Sequence, residues 1–113
     1  MLNQIILVGR LTRDITINKS SNGTKVATIS LAIPRSFKNM EGTYDTDFID
    51  CVAFDQIAVN TAEYCGKGDI IGIKGRVQSN TVEEDGKKKT DWDIICEKIT
   101  FLSSNHPKTE EKA

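Results

Sequence analysis

The sequence predicts an all-β fold with one short helix: a five-stranded Greek-key barrel with the helix between the third and fourth strands. Three observations carry that expectation. Five runs of β-favouring residues are separated by turn signals, and one segment alone changes to helical spacing. Glycines at 9, 72 and 75 fall inside strand runs, where the corners of a small barrel call for them. At 113 residues, 38% apolar and 27% charged, the chain has the size and composition of one globular domain.

The first run, Leu2 to Thr12, is β-rich with Gly9 inside it. SSNG at Ser20–Gly23 is a turn signal, and its Asn-Gly pair suits a two-residue hairpin loop. Lys25 to Ile33 alternates, placing Ala27, Ile29, Leu31 and Ile33 on one side. Pro34 is expected to end that strand and open a long polar connection. TDFIDCVAFD (46–55) is the third strand, in which Phe48, Asp50, Val52 and Phe54 share one face and Ile49, Cys51 and Ala53 the other. From Gln56 to Cys65, Ile57, Ala58, Thr61, Ala62 and Cys65 recur at helical spacing, with Gly66 placed as a C-cap. Asp69 to Gln78 is the fourth strand. SNTVEEDGKKKT reads as a charged hairpin connection with Asp85-Gly86 at its tip, and Asp91 to Leu102 is the fifth strand. This element order is that of an OB-fold. The OB domain is expected over residues 1–104, with 105–113 a short polar tail.

Net charge is only −1, but the charges are sorted. Residues 1–40 hold six Lys or Arg against one acid, Asp14; residues 41–66 hold six acids and no base. The sum therefore hides a basic region. Three cysteines (Cys51, Cys65, Cys96) show no CxxC spacing, and no export signal or membrane-length apolar run is present. They are expected to be reduced core thiols of a cytoplasmic protein.

Catalysis is not supported. Asp45, Asp47 and Asp55 share a parity that Asp50 does not, and Asp45 and Asp55 lie about 33 Å apart on an extended strand, so these carboxylates do not converge. The one histidine, His106, sits in the tail, and zinc-ligand spacing is absent. Binding fits better. An unpaired buried aspartate is costly, so the Asp50 face should point outward and take Phe48 and Phe54 with it. Exposed rings beside basic residues are what a single-stranded nucleic acid requires: bases stack on the rings while Lys and Arg follow the phosphates. Two alternatives stay open, with Phe48 and Phe54 capping one end of the barrel as core, and Phe37, between Arg35 and Lys38, anchoring its loop. Lys74 and Arg76 share a strand face, either as a phosphate track or as a solvated surface.

NQIILVGRLTRD, NGTKVATISLAIPRSFKN, TDFIDCVAF, AEYCGKGD and GIKGRVQS, in this order over roughly residues 1–102, resemble the bacterial and phage single-stranded DNA-binding proteins. The resemblance implies an OB-fold that assembles as a homotetramer and binds single-stranded DNA without sequence preference, in replication, recombination, repair or DNA uptake, with no catalytic activity and no cofactor. It implies a cytoplasmic, nucleoid-associated location and no membrane. Carried over by motif, the stacking residues are Phe37, Phe48 and Phe54. Arg10, Arg35, Lys38, Lys67 and Arg76 lie in matched segments where basic residues meet the DNA backbone. Departures are visible: Val82 where a further aromatic is expected, Asn80 where a base is common, phenylalanines in place of tryptophans, and Asp50 opposing phosphate on the DNA face. The end, HPKTEEKA, lacks the acidic Pro-Phe tip through which family members recruit replication and recombination proteins. A dimeric primosome-type adaptor and a protein- or oligosaccharide-binding OB module are the alternatives.

Overall fold

The structure is a computed structural model, described over residues 1–103; the expected tail and His106 lie outside the described residues. Six strands and one helix follow in the order β1 (Ile5–Leu11), β2 (Ile17–Lys19), β3 (Lys25–Lys38), β4 (Tyr44–Phe54), α1 (Asp55–Tyr64), β5 (Ile70–Glu84) and β6 (Lys87–Ser103). The sheet runs β1-β5-β6-β4-β3-β2, and β1 also pairs with β3. That pairing closes β1, β5, β6, β4 and β3 into a five-stranded barrel, the OB-fold expected, with the three-residue β2 as an added flap on β3.

Alternation along the strands builds the core. Leu11, Ala27, Ile29, Leu31, Cys51, Ala53, Ile71, Ile73 and Cys96 point inward and are buried, and Ala58 of α1 packs onto them. All three cysteines are buried free thiols, as expected. Cys51 and Cys96 share a hydrogen bond, and that bond and burial push the Cys96 thiol up, keeping it protonated. Two strand glycines are sterically required. A Cβ on Gly75 would stand 2.0 Å from the Ile95 carbonyl oxygen, and one on Gly9 would stand 2.7 Å from Ile33 Cγ1. Gly72 has ordinary room, with 3.7 Å to Val8 and Leu102.

Several expectations need correction. Pro34 does not end its strand: β3 continues to Lys38, and Pro34 pairs with Thr46. Pairing between β1 and β3 stops at Ala32, so beyond it β3 is an edge strand, where proline is tolerated. Phe37 therefore lies on a strand, not in a loop. The SSNG segment is not a two-residue loop. Ser20 N donates to Thr24 O and Gly23 N to Ser20 O, a three-residue loop closed by Gly23 at φ 87°. Asn39–Thr43 repeats that geometry with Gly42 at φ 83°. Asp85-Gly86 does form a two-residue turn, with both residues at positive φ, but the flanking charged residues are paired strand rather than connection. The helix ends at Cys65 in extended conformation, so Gly66 is not its left-handed cap; the positive φ falls on Gly68.

The pairings place two hairpins side by side. The parallel contact of β4 with β6 joins Cys51 to Ile94 and Val52 to Ile95. Tyr44 lies seven residues before Cys51, and Lys87 seven before Ile94. The β3–β4 and β5–β6 hairpins thus run in the same direction for about 23 Å beyond that seam. Among the described residues, no helix is long and apolar enough to cross a membrane.

Candidate nucleic-acid interface

The outer face of β1, β3 and β4 can be read row by row from the register. Arg10 pairs with Ala32, and Ala32 with Phe48. The next rows along β3 and β4 are Ser30–Asp50, Thr28–Val52 and Val26–Phe54. Cys51 and Ala53 are buried behind them, while Phe48 is 74% and Phe54 40% exposed. The outward alternative for these rings is therefore the observed one, and the barrel-capping alternative is excluded for Phe48. Phe37 is 71% exposed on the β3 extension, so it anchors no loop.

Beside Phe48, where β1 and β3 diverge, is an apolar cleft of about 340 Å3 lined by Val8, Arg10, Ala32, Pro34, Thr46 and Ile70 among others. Arg10 forms one wall. Its Nη1 donates to the Gly68 carbonyl at 2.7 Å, which ties the loop carrying Lys67 to β1. Asp14 ties the same loop by accepting from Lys67 N at 2.7 Å, leaving the Lys67 side chain exposed. Arg10 and Lys67 thus lie together at the β1 edge of the face.

The remaining cations are placed differently. Arg35 donates from Nη2 to Asp47 at 2.9 Å and from Nε at 3.2 Å, with Asp45 3.7 Å from Nη1. This ion pair holds the Asp47 carboxyl below its ordinary range, first by the hydrogen bond and then by the guanidinium charge acting against desolvation. Arg35 is engaged by two acids rather than standing free as a phosphate ligand. Lys38 Nζ lies 5.9 Å over the Tyr44 ring. Arg76 reaches Gln78 at 2.9 Å and Glu97 at 3.6 Å, on the strand beyond β6, away from Phe48. Lys74 is exposed and directly opposite Lys98.

Sequence reasoning missed Tyr44. It opens β4 on the parity of Phe48 and is 55% exposed, four residues from that ring; the polar residues around it concealed a strand. Trp92 is also exposed, but it shares the parity of Ile94 and Cys96 and so lies across the sheet from Phe48. Val82 is exposed on the β5–β6 hairpin and supplies no ring. Tyr64 forms a tilted pair with Phe101, ring centroids 6.0 Å apart, at the far end of the helix. Asp50, the acid expected to face outward and to oppose phosphate there, accepts from Ser30 Oγ at 2.7 Å.

A closed five-stranded barrel with one helix after its third long strand, and with aromatic rings turned outward beside arginines, defines an OB-fold binding protein. The chain belongs to the single-strand binding protein family, whose sequence profile matches residues 2–102. It is 40% identical over 114 residues to single-stranded DNA-binding protein B of Bacillus subtilis, covering 100% of this chain and 98% of that protein. Against single-stranded DNA-binding protein 1 of Staphylococcus aureus it is 40% identical over 103 residues, covering 90% of this chain and 62% of that one. It thus spans nearly all of the first relative and under two thirds of the second. Among solved structures, the Plasmodium falciparum SSB complex with ssDNA superposes with a TM-score of 0.74 at 28% identity, covering 91% of this chain and 96% of that one. A deletion mutant of the Thermus aquaticus single-stranded DNA binding protein gives 0.75 at 24% identity, over 92% of this chain and 52% of that one, a likeness of fold.

Proposed function

We propose that this chain binds and protects single-stranded DNA without sequence preference, with no catalytic step. The observation that carries the reading is Phe48, a ring 74% exposed in one row with Arg10 across three adjacent strands. Nothing in barrel packing calls for that ring in water, whereas a base stacked on it would bury both faces. Phe37, Phe54 and Tyr44 extend the stacking surface. Arg10, Lys67 and Lys38 neutralise phosphates along it, and Arg35 and Arg76 contribute once their acidic partners yield. Membership of the single-strand binding protein family and the DNA-binding names of its relatives support the same reading.

The chain acts as a homotetramer in the cytoplasm, at the nucleoid, serving replication, recombination, repair or DNA uptake. Self-association is supported by an outer apolar surface on β1, β5 and β6. There Ile6, Val8 and Leu102 are exposed around a cleft of about 220 Å3 that also includes Gly72 and Lys74. Contiguous exposed apolar area of this kind marks interaction surfaces. A gel shift with oligo-dT, run beside a solution mass measurement, tests both statements. Binding that weakens with salt and a mass of four chains are expected; no retention of oligo-dT sinks the DNA reading, and a mass of two chains sinks the tetramer.

A further inference from the structure

One hydrogen-bond chain on the β3–β4 face involves a residue outside the expected site. Arg13 follows β1 and is exposed. Its Nη2 donates to Ser30 Oγ at 2.8 Å, and that hydroxyl donates to Asp50 Oδ1 at 2.7 Å. Ser30 is 8% exposed, so its hydroxyl is oriented by these two partners rather than by water. A hydroxyl has one proton and two lone pairs. The Asp50 carboxylate accepts the hydrogen bond from that O–H, which leaves a lone pair of Ser30 Oγ turned toward Arg13. Asp50 therefore sets the direction of the whole chain.

Ser30 and Asp50 are direct cross-strand partners, so the chain crosses the strands at right angles. It holds the Arg13 guanidinium beside the row that separates the two rings of β4. Phe48 lies two residues to one side, about 7 Å, and Phe54 four residues to the other, about 13 Å. Ser30 uses one of five guanidinium donors. Among the described residues Arg13 has no ion-pair partner, in contrast to Arg35 and Arg76. Arg13 also lines a polar cleft of about 260 Å3 with Asp14, Thr16, Asn18 and Thr28. A guanidinium held from one side, with the rest of its fork toward solvent, presents the geometry that phosphate oxygens take.

We propose that Arg13 contacts the phosphate backbone of the bound strand and that Asp50, acting through Ser30, is its positioning residue. The proposal rests on the single-stranded DNA reading above: a strand with bases on both Phe48 and Phe54 carries its backbone across the Arg13 row. Asp50 then acts mainly as an acceptor that aims an arginine, and its repulsion of phosphate is offset by the charge it aims.

The experiment is a salt titration of oligo-dT affinity in the full chain and its variants. Arg13→Ala lowers affinity about tenfold at low salt and reduces the slope of log K against log salt by about 0.7. Arg13 is on the surface, so its thermal unfolding stays as in the parent. Asp50→Asn keeps an acceptor for Ser30 and loses the charge, whereas Asp50→Ala loses both. Asp50→Asn therefore binds more tightly than Asp50→Ala. Equal affinities of these two variants, or an unchanged slope in Arg13→Ala, overturns the proposal. If Phe48→Ala weakens binding while Arg13→Ala does not, the stacking reading stands and the Arg13 assignment falls. If the parent chain does not retain oligo-dT, the DNA reading itself falls.

Discussion

Arg35 grips Asp47 across the β3–β4 hairpin with Nη2 at 2.9 Å and Nε at 3.2 Å. The pair takes out of service a cation in a segment that matches the DNA-binding family. Asp47→Asn should release it. Oligo-dT affinity is expected to rise by roughly two- to threefold, the scale of an exposed ion pair, with a steeper salt dependence. Unchanged affinity in a filter-binding assay would show that Arg35 does not reach the strand.

The same pair has a pH signature. Asp47 is held below its ordinary range when folded, so its contribution is present above the unfolded carboxylate pKa and is lost as pH falls through the folded value. Titration near neutrality leaves it intact. Carboxyl chemical shifts should place the Asp47 midpoint below that of an ordinary aspartate, and Arg35→Ala should restore it upward; a midpoint that stays put in that variant would assign the shift to something else.

Phe48→Ala and Phe54→Ala should separate binding from folding. Phe48 is the more exposed ring, and its loss is expected to weaken oligo-dT binding by about 1–3 kcal/mol while unfolding changes by under about 0.5 kcal/mol. Phe54, more than half covered, should lose on both counts. A Phe48→Ala protein that unfolds far more readily would return that ring to the core.

Gly75 and Gly72 form a matched pair on β5. Gly75→Ala drives a Cβ into the Ile95 carbonyl, which is backbone and cannot swing aside, so urea denaturation should show a loss of about 3 kcal/mol or more. Gly72→Ala meets the Leu102 and Val8 side chains and the Leu7 carbonyl oxygen, all at ordinary contact distance, and should cost far less. Similar midpoints for the two would mean that the strands do not approach as closely as described.

Asp55 opens the helix at φ 50°, a conformation that aspartate and asparagine tolerate and β-branched residues do not. Asp55→Asn should be close to neutral and Asp55→Val should lower stability by about 1–2 kcal/mol, read from thermal unfolding.

The barrel and its outward rings were legible because alternation is a local property. In TDFIDCVAFD one aspartate was enough to orient the strand, and Cys51 and Ala53 are buried on the opposite side as that orientation requires. The hairpin arms were not legible. Both faces of residues 34–38 and 81–90 meet water, so selection for alternation is absent and charged strand looks like loop. The pairing of Arg35 with Asp47, and of Ser30 with both Asp50 and Arg13, depends on cross-strand register, which no window along the chain contains. Tyr44 was lost for the same reason as the arms.

The seam where β4 meets β6 has a consequence for assembly of the fold. The β3–β4 and β5–β6 pairings join neighbours in the chain through tight turns, whereas Cys51 meets Ile94 across the helix and all of β5. Local zippers close cheaply; a contact spanning so much chain waits for them, because loop closure has to be overcome before it gains anything. Two residue pairs are a short parallel clasp, and the Cys51–Cys96 thiols lie on its inner side. The barrel is thus two hairpin ribbons joined by this clasp on one side and by β1, which pairs with both β5 and β3, on the other, and amide exchange should find the clasp opening before either ribbon frays at its root.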